Sequence, residues 1–432
     1  MADEKRYTED RSGAQGEAAI LGRQNDRGIP GIVQPDAELI TAEKYYQTRV
    51  LYLIYLCAAG IVITQVLGYN SWSSRLFTLT FVLTFLLWII TAMKAVNAGD
   101  LLVLFISLFA FIHVFLNAWR NGGELNFSYL RKYIMFVTSL FFLQAVSKIG
   151  LTEQEEKRIE RGITFLSVFL AAGYFVFGRK LYVINGITTN YLTFRFTNPN
   201  LTALFLSCIA YMEFCMILKN RKVYGKILHL LLFAGLALFI KETRSRNALI
   251  ILAVFLVFAV LLSLKRAGAI RVPKAVSVLV SIFPILFVVA YLGFSSNYGL
   301  KRRLAFLVSE GKGLDSRMSI WRPALSRFHR SPIVGAYYEI SGGSGMSQLH
   351  NTHLDILASY GVWILILICI LLFYWLHTYG RQRRDKLQML YYLGFVCVLL
   401  LGIGEAALFS GGLGIYILAG MYLLYLKPST AV

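Results

Sequence analysis

Between Phe294 and Gly361 a long polar loop holds nearly every residue type able to do chemistry: Arg317, Arg322, Arg327, Arg330, Glu339, His350, Asn351, His353 and Asp355. Arginine binds an anion through a planar fork of N–H donors. Histidine takes up a proton near neutral pH. Together the two types suit phosphate binding and proton transfer on a charged substrate at a membrane surface. A transporter or a channel does not need so polar a loop. Ionisable residues beside apolar spans are costly and are usually kept for function.

Four short stretches, two of them outside that loop, carry the main candidates. Leu349-His-Asn-Thr-His-Leu-Asp355 opens an apolar run, with His350 and His353 one helical turn apart. The pair is compatible with proton transfer, with a metal site or with a structural role. No third ligand stands at helical spacing, so no metal is expected.

Leu314–Pro332, followed by Gly335, places Met318, Trp321, Leu325 and Phe328 at helical spacing. One face is therefore apolar, and the segment is expected to lie at the interface, with Pro323 beginning or kinking a helix. Surface anchoring accounts for Arg322, Arg327 and Arg330; Arg317 is the stronger functional candidate.

Lys241-Glu-Thr-Arg-Ser-Arg-Asn247 turns between two apolar runs. Ser245 can cap the second helix, whose N–H groups favour an anion, and Arg246 would add a bidentate fork for phosphate. A solvated turn with Arg244 and Arg246 reaching to headgroups fits equally well. Finally, Arg195-Phe-Thr-Asn-Pro-Asn200 precedes another run. Asn198 and Asn200 can cap that helix or hydrogen-bond a sugar, and a plain helix start is the simpler reading.

The elements that must hold these groups are membrane spans. Of 432 residues, 57% are hydrophobic, 14% aromatic and only 15% charged, against about 25% charged in soluble domains. About twelve runs are near the length a spanning helix needs. They centre on Ala59, Phe85, Phe109, Leu140, Phe169, Ala210, Phe233, Leu256, Pro284, Leu367, Cys397 and Ala419. The fourth and fifth are weakest, interrupted by Ser, Gln and Gly.

The net charge of +20 resides largely in short basic loops. These are Lys157–Arg161, Lys219–Lys226, Lys265–Lys274 and Arg381–Lys386. They fall on one side with both termini, and that side is expected to be cytoplasmic. No basic soluble domain exists for nucleic acid. The five cysteines sit in apolar runs and suit neither disulfide nor zinc chemistry. Glu213 and Glu405 lie in or near spans and are expected only to make helix-packing hydrogen bonds.

The expected organisation is a disordered cytoplasmic tail over residues 1–48, spans over 49–293, a large extracytoplasmic loop over 294–352 and further spans over 353–427. The fold class is all-α.

Taken in order, Asn200, Ser245-Arg246, Arg317 to Trp321 with Pro332 and Gly335, and His350-Asn351 resemble the motifs of the O-antigen ligase and polymerase superfamily of membrane glycosyltransferases. The likeness covers roughly residues 190 to 365; earlier runs match in hydropathy alone. It implies a GT-C-type fold in a bacterial cytoplasmic membrane, with its site extracytoplasmic. The implied substrate is an oligosaccharide on polyprenyl pyrophosphate, with membrane lipid around it and no cofactor or metal.

The resemblance further implies that Arg246 and Arg317 clamp the pyrophosphate and that His350 orients or deprotonates the acceptor hydroxyl. Arg244, Asn200, Arg195, Asn351, Trp321 and Arg322 would line the substrate. A chain-length regulator and a flippase are the implied partners. Gly361 fits the ligase pattern, but Ile364 stands where that pattern has Gly, Thr or Tyr. This favours polymerisation of surface polysaccharide over ligation to a lipid A core. A flippase of the lipid-linked precursor is the reading from another class; it needs no catalytic histidine.

Overall fold

The computed structural model of the protein describes residues 37–120, 122, 127–184, 187–194, 198–264, 270–295, 314–337, 349–382, 384–405, 409 and 415–427. The expected tail up to residue 36, Arg195, Glu339 and much of the large loop lie outside the described residues. The chain divides into two units, Met1–Tyr46 and Gln47–Val432. In the first, helix α1 (Ala37–Leu67) already begins, inside the segment expected to be a tail.

The second unit continues α1 and adds α2 (Asn70–Lys94), α3 (Ala98–Arg120), α4 (Phe127–Val146) and α5 (Glu153–Phe177). A hairpin of β1 (Arg179–Ile184) and β2 (Ile187–Leu192) follows. Then come α6 (Pro199–Lys219), α7 (Val223–Glu242), α8 (Arg246–Leu264) and α9 (Lys274–Ser295). The large loop contains α10 (Leu314–Arg330), and the chain closes with α11 (Thr352–Tyr360), α12 (Val362–Gly380), α13 (Lys386–Leu401) and α14 (Ile415–Tyr425).

Each predicted apolar centre falls within one of these helices. Among the described residues nine helices are long and apolar enough to cross a membrane: α1, α2, α3, α5, α6, α7, α8, α9 and α12. The chain is a nearly all-helical, polytopic membrane protein. The fourth predicted run, α4, is not among the nine, and the fifth is the least apolar of them. From Met135 to Val146 every residue of α4 is buried. Its Ser, Thr and Gln therefore face protein rather than lipid.

The all-α expectation is corrected at one place. Residues 179–192 pair as an antiparallel hairpin, Arg179 opposite Leu192 and Ile184 opposite Ile187. β-Branched and aromatic residues on both sides of the Asn185-Gly186 pair carried that signal.

Helix ends follow local chemistry. Thr152 and Glu155 form a reciprocal capping box that opens α5. Asn198 caps α6, with Pro199 at its first position, where a missing N–H costs nothing. Within an 18-residue stretch of that helix 83% of the residues are buried, and it packs on α5, α7, α8, α13 and α14, which makes it the central strut. The α9 helix contains Pro284, which lacks an N–H and crowds the preceding turn. Side chains of Asn351 and His353 bond carbonyls of this helix at Pro284 and Ser281, and these bonds help to place the site.

Candidate functional site

The stretch Leu349–Asp355 is held in place by hydrogen bonds to carbonyls of α9 and of the turn that follows α13. Asn351 caps α11: its Oδ1 accepts from Leu354 N at 2.9 Å, while its Nδ2 donates to Pro284 O at 3.1 Å and Ile403 O at 3.2 Å. Three of its hydrogen-bonding positions are thus used on protein, and the side chain is fully buried. His353 places Nε2 2.8 Å from Ser281 O, one turn before Pro284. The two histidines therefore serve different partners and do not form a pair.

His350 sits between these anchors with φ +52°. Left-handed backbone is uncommon outside glycine and often marks a functional position. The ring places Nδ1 3.0 Å from Glu405 Oε2, and the two side chains are 23% and 5% exposed. The histidine thus stays reachable while its carboxylate does not.

Glu405 is fixed by the turn that ends α13. Thr352 N donates to Gly402 O at 2.8 Å and Thr352 Oγ1 to Glu405 O at 3.0 Å. Asn351 holds Ile403 O, as above. Asn247 Nδ2 donates to Leu401 O at 3.1 Å and lies against Gly404. Arg246, exposed, thereby opens a helix whose first turn rests on the turn carrying Glu405.

Arg317 reaches the same place from α10, where it is half-buried. Burial lowers its guanidinium below the ordinary value; Glu405 first, and Tyr291 second, oppose that shift. It keeps its charge, since free arginine titrates far above neutral pH. Four residues along α10, Trp321 is completely buried and donates Nε1–H to Leu349 O at 2.7 Å. Its ring packs edge-on to Tyr291, 5.9 Å away. The structure thus gives Trp321 a positioning place beside His350. Arg322 is exposed on the same helix.

Pro332, Gly335 and Gly361 form a clasp beneath the site. Gly335 and Gly361 have φ +76° and +89°, and Ala336 N donates to Ala358 O at 2.7 Å and Val362 N to Pro332 O at 3.0 Å. Helix α3 pins the clasp: His113 Nδ1 lies 2.6 Å from Tyr360 O, and Asn117 Nδ2 donates to Gly335 O at 2.8 Å. Lys132 pairs with Asp355 at 2.7 Å, so Asp355 braces α11 against α4.

The structure thus gathers His350, Glu405 and Arg317, with the start of α8 alongside. It does not gather all the candidates. Arg244, at φ +55°, stacks its guanidinium over Tyr191 of the hairpin, 5.3 Å from the ring centre. Asn200 is half-buried in the first turn of α6, and it is Asn198 that makes the cap. Arg195 lies outside the described residues.

Sequence reasoning missed Glu405. The available signal was a carboxylate closing Leu401-Gly-Ile-Gly-Glu405, at the end of a run whose orientation matches that of His350. Glu213, by contrast, makes the expected packing bonds. It accepts from Ser167 Oγ at 2.6 Å, and His229 Nδ1 lies 2.7 Å from its other oxygen. Among the described residues no group of three or more His, Cys, Asp or Glu could hold a metal.

No protein-family model, curated protein or solved structure matches the chain.

Proposed function

We propose that the chain is a GT-C-type membrane glycosyltransferase with about twelve crossings, which extends a surface polysaccharide from a polyprenyl-pyrophosphate donor. The observation that carries this reading is the convergence of a cation and a proton acceptor. Arg317 is within electrostatic reach of a buried carboxylate that lies 3.0 Å from the ring of the reachable His350. The motif likeness adds Arg246 to the cationic side.

The chemistry follows. An acceptor sugar hydroxyl attacks the anomeric carbon of the donor glycan. The anomeric carbon–oxygen bond to pyrophosphate breaks, and its electron pair leaves with the lipid pyrophosphate. His350 takes the hydroxyl proton. Arg317 and Arg246 stabilise the charge growing on the pyrophosphate, an electrostatic effect that is strongest where water is excluded. Pyrophosphate is already a good leaving group, so this reading requires neither a metal nor a cofactor.

In this reading the site faces outward from a bacterial cytoplasmic membrane, with both termini inside. Chain-length regulators and flippases would be its partners.

The test is an assay with purified protein and one polyprenyl-pyrophosphate repeat unit, without another acceptor. A ladder of longer lipid-linked products, lost in His350→Ala, is the expected result. Absence of a ladder with a matched repeat unit would reject polymerisation. If whole chains instead moved to a second lipid or a protein, the enzyme would be a ligase using the same site.

A further inference from the structure

We infer that Glu405 is the positioning residue for His350: it holds the proton on Nδ1 and so leaves Nε2 as the nitrogen with the free lone pair. This rests on the proposed role of His350 as the base and assigns the residue that makes the base competent.

The argument begins with the donor inventory. An ionised carboxylate can only accept hydrogen bonds, and a neutral imidazole has one donor and one acceptor nitrogen. Nδ1 lies 3.0 Å from Glu405 Oε2, so the hydrogen between them belongs to the ring. The neutral ring is then the Nδ1–H tautomer, and its Nε2 is the proton acceptor.

The carboxylate is built in rather than passing by. Glu405 is 4% exposed, and its backbone carbonyl is bound by Thr352 Oγ1 at 3.0 Å. Asn351 and Asn247 hold the preceding turn. On the other side, the His350 backbone is bracketed by the Asn351 cap and by Trp321 on Leu349 O. Asn351 therefore helps to fix both partners of the pair.

A packing role leaves one fact unexplained. Oε1 of Glu405 is buried without a hydrogen-bond partner among the described residues. An unsatisfied buried charged oxygen is costly and is retained where it serves a purpose. Arg317 is a cation that experiences the charge of Glu405. The carboxylate thus interacts both with the group proposed to bind the donor and with the group proposed to activate the acceptor.

The experiment uses full-length protein with 15N-labelled histidine, His350 signals being identified by their loss in His350→Gln. In alkaline buffer, wild type should show Nε2 as the unprotonated nitrogen. Glu405→Gln removes the charge and lets a side-chain amide donate to Nδ1, so the His350 signals should move toward the Nε2–H tautomer. In the extension assay kcat should fall on the order of 100-fold, with the KM for donor changed less than about 2-fold; Glu405→Asp should restore part of kcat.

A wild-type His350 in the Nε2–H tautomer overturns the inference. So does a Glu405→Gln variant with unchanged tautomer and kcat. Should that variant fail to fold, the wild-type spectrum alone decides. If the expected tautomer is found but wild type extends no glycan, the proposed function fails and the His350–Glu405 assignment stands.

Discussion

Trp321 donates its indole N–H to the carbonyl of Leu349 at 2.7 Å, tying the helix that carries Arg317 to the residue beside His350. Arg317 and His350, from separate segments, are thereby tied together through Trp321. Trp321→Phe keeps an aromatic ring but leaves a buried carbonyl unpaired, which costs about 1–3 kcal/mol. The expected outcome is a lower melting temperature, together with a roughly tenfold drop in kcat if register matters. Wild-type values for both would remove Trp321 from the site's support.

Gly361 has φ +89°, and a Cβ there would lie 2.0 Å from Ile333 O. Gly361→Ala combines a backbone region that L side chains avoid with a clash against main chain that cannot move aside. A loss of about 3 kcal/mol or more is expected. The yield of folded protein in membranes measures it; normal yield would mean that the Gly335–Gly361 clasp tolerates a side chain.

The Ser167–Glu213–His229 group links α5, α6 and α7 away from the site. Removing one partner leaves a buried polar group stranded. Glu213→Leu should lower stability by about 3–5 kcal/mol, and adding His229→Leu should recover much of that loss. Thermal unfolding of the two single variants and the double variant closes the cycle. Additive losses would show that the pair has no mutual dependence.

Lys427, just beyond α14, is pushed down to about 8 by burial and by the nearby charges of Lys148 and Lys94. An unfolded lysine titrates near 10.4, so between these values the unfolded chain binds more protons than the folded one. Stability from this group therefore rises as pH increases from about 8 to 10.4. Lys427→Met should melt higher than wild type at pH 7, and the difference should shrink toward pH 10.4. Melting curves in neutral detergent across that range test it; a constant offset would contradict the assignment.

Much of the helical frame was legible because spanning is a local property. A run such as Val223–Glu242 is apolar enough to be read one window at a time. The cap at Asn351 and the amphipathic helix around Trp321 were legible for the same reason, as both depend on residues within a turn or two. Helix α4 was faint because its polar residues are buried against protein, which hydropathy cannot distinguish from exposure to water. The hairpin was faint because each of its strands is only six residues long, far shorter than the apolar runs that flank it.

The partners of the site residues were not legible. Asn351 and Pro284 are 67 residues apart, and His350 and Glu405 are 55 apart. Nothing in the local pattern of either pair distinguishes it from other polar residues at span ends. The sequence by itself determined which segments are helical and apolar, and which side chains have the chemistry for phosphate and protons, because both follow from residue type and near-neighbour spacing. Only the tertiary structure decided that Glu405 rather than His353 serves His350, and that Trp321 supports the site from within. Those outcomes depend on which helices pack together, and on the Ser281 and Pro284 carbonyls of α9 that His353 and Asn351 bind.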